Sequence, residues 1–201
     1  MRSLFIFFII IVVVSGCAKR KIENKFYLIE PVTNDSTSVT KDNDSPWLEA
    51  ACQIAPVEIH PAFSTSRIAH RSESHQITYY THHHWAVLPD VLISQIIEHD
   101  LQNQNLFRYL DSRLRVEPDY ILESEILQLE TTAIKNDLSA HLQMDFRLLD
   151  AINQHVLLQY SIDRFEPLQK NDLNLFAEAI NNIMHQEIKN LGAKIREEMV
   201  K

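Results

Sequence analysis

Leu142, Met144, Phe146 and Leu148 alternate with His141, Gln143, Asp145 and Arg147, and the same period of two returns at Val156, Leu158, Tyr160 and Ile162. Successive side chains of a strand point to opposite faces, so each run predicts a strand with one apolar face. Asp150 to Gln154 lies between the runs and is the predicted turn of an antiparallel hairpin, one face buried and one wet. An apolar sheet face has to be covered, and the chain carries two segments able to cover it. From a capping Asn171-Asp172, Leu173, Phe176, Ala177, Ile180, Met184, Ile188, Leu191 and Ile195 recur at helical spacing, the pattern of core packing. Pro89-Asp90 opens the other: proline suits the first turn and aspartate the positive end of the helix dipole. Leu92, Ile93, Ile96, Ile97 and Leu101 form its apolar stripe, and it is expected to stop near Asn103–Asn105.

The remaining β-type segments are shorter. Phe26-Tyr27-Leu28-Ile29 reads as a strand ending at Pro31, and Ile54 to Ile59 as another whose Pro56 suggests a sheet edge. Residues 67–85 read as a hairpin, and 119–130 as a strand. Residues 32–51 are rich in Ser, Thr, Asp and Asn and are expected to be a flexible loop. The order β-β-β-α-β-β-β-α predicts an α+β fold, with two amphipathic helices on one face of a mainly antiparallel sheet.

The beginning of the chain has a different logic. Arg2 precedes an unbroken apolar run, Leu4 to Val14, too short for a membrane-spanning helix but suited to a secretion signal. Val14-Ser15-Gly16-Cys17 follows and resembles the bacterial lipobox, in which small residues precede a cysteine that receives diacylglycerol and becomes the new N-terminus. Residues 1–16 are therefore expected to be a signal peptide, Cys17 the N-acyl, S-diacylglycerol attachment point, 17–25 a lipidated tether and 26–201 one domain. Several acyl chains anchor firmly where one binds marginally. Ala18 follows the cysteine where an aspartate would signal inner-membrane retention, so the expected location is the periplasmic face of the outer membrane. Lys19, Arg20, Lys21 and Lys25 are placed to meet anionic headgroups or to lie free in a solvated tether. With Cys17 acylated, Cys52 is the one remaining thiol, so no intrachain disulfide is available.

Composition excludes several functions. A formal charge of -8 is the wrong sign for a nucleic-acid binder. Only Gly16 and Gly192 are glycines, so neither a P-loop nor a dinucleotide-binding turn can be built. There is no nucleophile elbow and no paired acid and base. Glu123/Glu125 and Glu197/Glu198 read as solvated faces, and Cys52 is expected beside the flexible loop. The expectation is a non-enzymatic protein without a cofactor.

Several stretches carry a family likeness. Ala55-Pro56-Val57-Glu58-Ile59 precedes Ile77-Thr78-Tyr79-Tyr80, then His84-Trp85-Ala86-Val87-Leu88-Pro89, a helix ending at Leu106-Phe107, and Asp119-Tyr120-Ile121-Leu122-Glu123. This resembles the ABC-type transport auxiliary lipoproteins, the PqiC/YmbA-like family, in which a "gPVeVp" strand, an "rWAepL" motif and an "aDyvLe" strand occur in that order. His84 stands where a basic residue is usual and Val87 where an acidic one is common. The resemblance implies an auxiliary subunit of an envelope transport system. Its partners would be an MCE-domain protein spanning the periplasm and an inner-membrane ABC permease, its cargo phospholipid or a similar molecule, and a homo-oligomer is compatible with that role. Other readings stay open, an envelope assembly or secretion chaperone lipoprotein among them.

Two features suggest contact sites. On a regular strand His82 and His84 would share a face and be able to chelate zinc, the basis of a metal-binding alternative. A structural zinc site, however, needs four ligands and no cysteine framework is present. The bland reading is a polar hairpin end, and an intermediate one a pH-responsive patch. Trp85, with His84 and Tyr79, is the candidate partner interface, against the alternative that Trp85 is a core anchor.

Overall fold

The computed structural model describes residues 23–31, 45–134 and 137–200. The expected signal peptide, Cys17, the tether up to residue 22 and residues 32–44 of the expected loop lie outside the described residues. The strands are β1 (Lys25–Tyr27), β2 (Leu48–Ile54), β3 (Glu58–Ile59), β4 (Arg67–Glu73), β5 (Gln76–Trp85), β6 (Phe107–Asp111), β7 (Tyr120–Ile134), β8 (Asp137–Asp150) and β9 (Val156–Pro167). The helices are α1 (Pro89–Asn103) and α2 (Leu173–Met199).

The fifteen-residue β7 is the spine. One edge pairs antiparallel with β8 along its whole length, from Tyr120 opposite Asp150 to Ile134 opposite Asp137. The other edge receives three parallel segments in chain order: β2 beside Tyr120–Leu122, β3 beside Glu125–Ile126 and β4 beside Glu130–Thr132. β9 extends the sheet beyond β8, β5 and β1 extend it beyond β4, and β6 lies beyond β2. The result is one mixed, mostly antiparallel sheet of nine strands, and the fold is α+β as expected.

The predicted hairpin is β8–β9. Leu142, Met144, Phe146 and Leu148 are all buried on the core side. Asp150 Oδ1 accepts the amides of Ile152 and Asn153, and Gln154 takes a positive φ of 61°, closing the turn. Both helices contribute their predicted stripes to the same core, Leu92, Ile93, Ile96, Ile97 and Leu101 from α1 and Leu173 through Ile195 from α2. α1 stops where expected because Asn105 enters the left-handed region (φ 50°), a conformation asparagine tolerates at a helix end. The Asp172 side chain accepts the Asn174 amide at 2.9 Å and starts α2. Asp172→Ala is expected to cost about 1 kcal/mol, read as a lower urea midpoint at unchanged slope.

Three expectations need correction. Residues 48–51 are strand, not loop: β2 is held on both sides, by β6 and β7, and its modest local propensity is overridden by that pairing. Cys52 consequently sits in the core, fully buried, rather than beside a loop. The strand expected over 54–59 is split, with β2 ending at Ile54 and β3 reduced to two residues after Pro56. The short strand β6 adds a further element after α1.

Candidate docking site

β4 and β5 form the expected hairpin with an irregular end. Arg67 is opposite His84, yet Ala69 is opposite Tyr79, so β5 carries extra residues between Tyr79 and His84. That bulge receives β1, which pairs in parallel with Lys25 opposite His83, Phe26 opposite His84 and Tyr27 opposite Trp85. Each histidine of the triplet meets a different neighbour. His82 Nδ1 is 3.2 Å from Asn24 Oδ1, His83 Nδ1 is 2.7 Å from the Tyr27 hydroxyl, and the His84 ring lies 5.7 Å from Phe26. Among the described residues no three His, Cys, Asp or Glu side chains are grouped to hold a metal ion. Burial, then the nearby Lys25, His82 and His84 charges, lowers the His83 pKa.

The residues singled out in the sequence are not presented together. Trp85 is 3% exposed and packs on Phe176 of α2 at 5.6 Å between ring centroids, so its indole serves the core and offers a partner almost no surface. Tyr79 is half-buried; its hydroxyl donates to the Ala62 carbonyl at 2.8 Å, and the Arg67 guanidinium covers its ring at 4.6 Å. His84 is half-buried too, with its Nε2 buried and unpartnered among the described residues. Asp119 of the "aDyvLe" likeness is a structural clasp: its Oδ2 accepts the Ala51 amide and its own amide donates to Ala51 O, both at 2.8 Å, joining β2 to the start of β7.

Two buried ion networks join residues far apart in the sequence and leave no local pattern there. Glu130 has no exposed surface; Arg71 Nε donates to its Oε1 at 2.5 Å, and His141 Nδ1 lies 3.6 Å from the same oxygen. His141 also meets Asp163 at 2.8 Å and is stacked under Phe165 at 3.9 Å. On the helix side, buried Glu187 accepts from the Tyr160 hydroxyl, from Arg164 Nε at 2.6 Å and from Asn190, pinning α2 to β9. Burial and the Glu187 carboxylate push Tyr160 up to about 12. Burial alone would raise both carboxyls. The opposing contacts outweigh it, the nearby His141 and the Arg71 hydrogen bond for Glu130 and hydrogen bonds from Tyr160, Arg164 and Asn190 for Glu187, so both end below the ordinary value.

The Glu130, Glu187 and His83 shifts are all downward. A carboxyl that ionises more readily when folded adds stability above its unfolded value of 4.5, and loses it as pH falls through the folded one. His83, also lowered, loses its share as pH falls from 6.5 through its folded value. Urea midpoints are therefore expected to drop from pH 7 to pH 4 and to be restored on neutralisation; a midpoint flat across that range would contradict the assignment.

The open surface lies at the other end of the sheet. β6 is an edge strand, and beside it is a groove of about 530 Å³ lined by Phe107, Arg108, Tyr109, Arg113, Arg115 and Val116. Tyr109 and Val116 are exposed. Arg108 is paired with Glu49, which raises its pKa. The close spacing of Arg108, Arg113 and Arg115 in an acidic chain was the available sequence signal for this groove.

Comparison with known proteins places the chain further. The family model described as "ABC-type transport auxiliary lipoprotein component" matches residues 27–191. No curated protein sequence matches. Among solved structures, a Xanthomonas campestris protein of family DUF330 superposes with a TM-score of 0.68 at 14% identity, covering 84% of this chain and 92% of that one. An uncharacterized protein gives 0.67 at 11% identity, covering 86% and 99%. A hypothetical protein from Chlamydia trachomatis gives 0.51 at 14% identity, covering 74% and 96%. At these identities the likeness is one of fold.

Proposed function

The chain belongs to the ABC-type transport auxiliary lipoprotein family, and on that premise we propose that it is a non-enzymatic, lipid-anchored subunit of an envelope lipid transport system at the outer membrane. The family match over nearly the whole domain carries this reading. The lipobox ending at Cys17 supplies the anchor, and Ala18 the preference for the outer membrane. The partners are an MCE-domain protein that spans the periplasm and the ABC permease it serves.

For the protein contact we assign the β6 edge and its groove rather than Trp85, because Trp85 is committed to the core and Tyr79 to Ala62 and Arg67. Among the described residues β6 has no strand on its outer edge; such an edge can add a partner strand, and the arginines beside it favour an acidic one. The fully buried Cys52, its thiol pushed up to about 12 by burial, is unsuited to nucleophilic chemistry, in keeping with a non-enzymatic role.

Acylation is tested by growing cells on labelled palmitate. The wild-type protein should carry the label and fractionate with membranes, while Cys17→Ala should lose both properties. An unlabelled wild type whose fractionation matches that of Cys17→Ala would overturn the anchor.

A further inference from the structure

We propose that the corner where the end of β1 meets the β5–α1 junction is a bilayer-contacting surface that seats the domain on the membrane holding its lipid anchor. The inference rests on the acylation of Cys17 proposed above, and it adds a second, non-covalent membrane contact with a fixed orientation.

Phe26 is 64% exposed, and Leu28, Val87, Leu88 and Val91 are 41–46% exposed. Backbone pairing brings their chain segments side by side. Phe26 is opposite His84 on β5, the Ala86 amide donates to Tyr27 O at 2.8 Å, and the Val91 amide donates to Leu88 O at 3.1 Å. Residues 86–88 are three consecutive apolar positions turned to solvent, a pattern that a soluble surface avoids unless something uses it. The core does not need them. The same stretch sends Trp85, Pro89, Leu92 and Ile93 inward, so the outward set is a separate surface rather than unfilled packing.

Position and charge identify the occupant as lipid. From Cys17 to Glu23, the first described residue, six peptide units reach at most about 22 Å, so an acylated Cys17 holds this corner of the molecule close to the bilayer. Lys19, Arg20, Lys21 and Lys25 precede Phe26 in the sequence, a short basic stretch in a chain of net charge -8. Apolar side chains that follow a run of lysine and arginine in the sequence suit a surface with anionic headgroups. The β6 groove lies on the same side of β7 as β1 but towards the Tyr120 end, beyond β2, whereas β1 lies beyond β4 and β5 towards the Thr132 end. The separation along the sheet leaves the groove free for a protein while β1 faces lipid.

The test uses full-length lipidated protein in vesicles of phosphatidylethanolamine and phosphatidylglycerol. A fluorophore is attached in turn at Leu28→Cys, Val91→Cys and Ile152→Cys. Ile152 is 91% exposed in the β8–β9 turn, on the far flank of β7 from β1 and β5, and buried Cys52 should stay unlabelled. Quenching by lipids brominated in their acyl chains should be several-fold stronger at positions 28 and 91 than at 152. A Phe26→Glu/Leu88→Glu variant should remove most of that difference at position 91 while keeping the wild-type circular dichroism. Vesicle flotation with equal quenching at all three positions, or unchanged quenching in the variant, overturns the membrane contact and leaves acylation standing. A blue-shifted fluorophore that brominated lipid does not quench means that protein covers the corner, and also overturns it. Failure to float overturns both readings.

Discussion

Replacing Trp85 with alanine is expected to destabilise the domain by about 3–5 kcal/mol, the cost typical of emptying a core site of a large aromatic ring. Trp85 is 3% exposed, lies against Phe176 and ends the strand that feeds directly into α1. Its loss would loosen α2 from the sheet at the same point where β1 pairs with β5. Domains of this kind are stable by only about 5–15 kcal/mol, so the variant should melt far below wild type or accumulate unfolded. The outcome also separates two roles for the residue. A core tryptophan costs stability, whereas an interface tryptophan would leave the urea midpoint near wild type and weaken only partner binding. A loss below about 1 kcal/mol would contradict the core assignment.

The second large effect is expected at Arg71. Glu130 has no exposed surface and its Oε2 has no hydrogen-bond partner among the described residues, so the carboxylate depends on Arg71 and, at 3.6 Å, on His141. Arg71→Met would strand a buried charge, at a cost of about 3–5 kcal/mol. Glu130→Gln in the same background removes that charge and should recover much of the loss. A double-mutant cycle is the measurement, because it isolates the pairwise coupling from whatever else each substitution changes. Additive effects of the two substitutions would mean that the ion pair contributes nothing of its own.

The parts of the fold that were legible in the sequence are those set by local periodicity. The β8–β9 hairpin, both helix stripes, the Asp172 cap and the helix stop near Asn105 each follow from one continuous stretch of the chain. What was hidden is what non-local pairing decides. Residues 48–51 carry alanines and a glutamate rather than β-branched side chains, and are strand because β6 and β7 flank them. The three parallel segments along one edge of β7 leave no local trace either. The parallel pairing of β1 with His83–Trp85 joins segments far apart in the chain and is likewise without local trace. At the contact surfaces, Trp85 drew attention as a large aromatic, although only its packing against Phe176 shows that it faces inward. Glu130 and Glu187 look like ordinary strand and helix carboxylates until Arg71 and Arg164 are brought to them by the fold.

On the proposed reading this domain serves a transport system from a membrane anchor. That reading is tested most directly by solubilising envelopes in mild detergent, capturing the acylated full-length protein through a C-terminal tag and identifying what accompanies it by mass spectrometry. An MCE-domain protein and an ABC permease are expected in the wild-type eluate, and much less of both with Cys17→Ala. Efficient capture of acylated protein with neither one present would contradict the account.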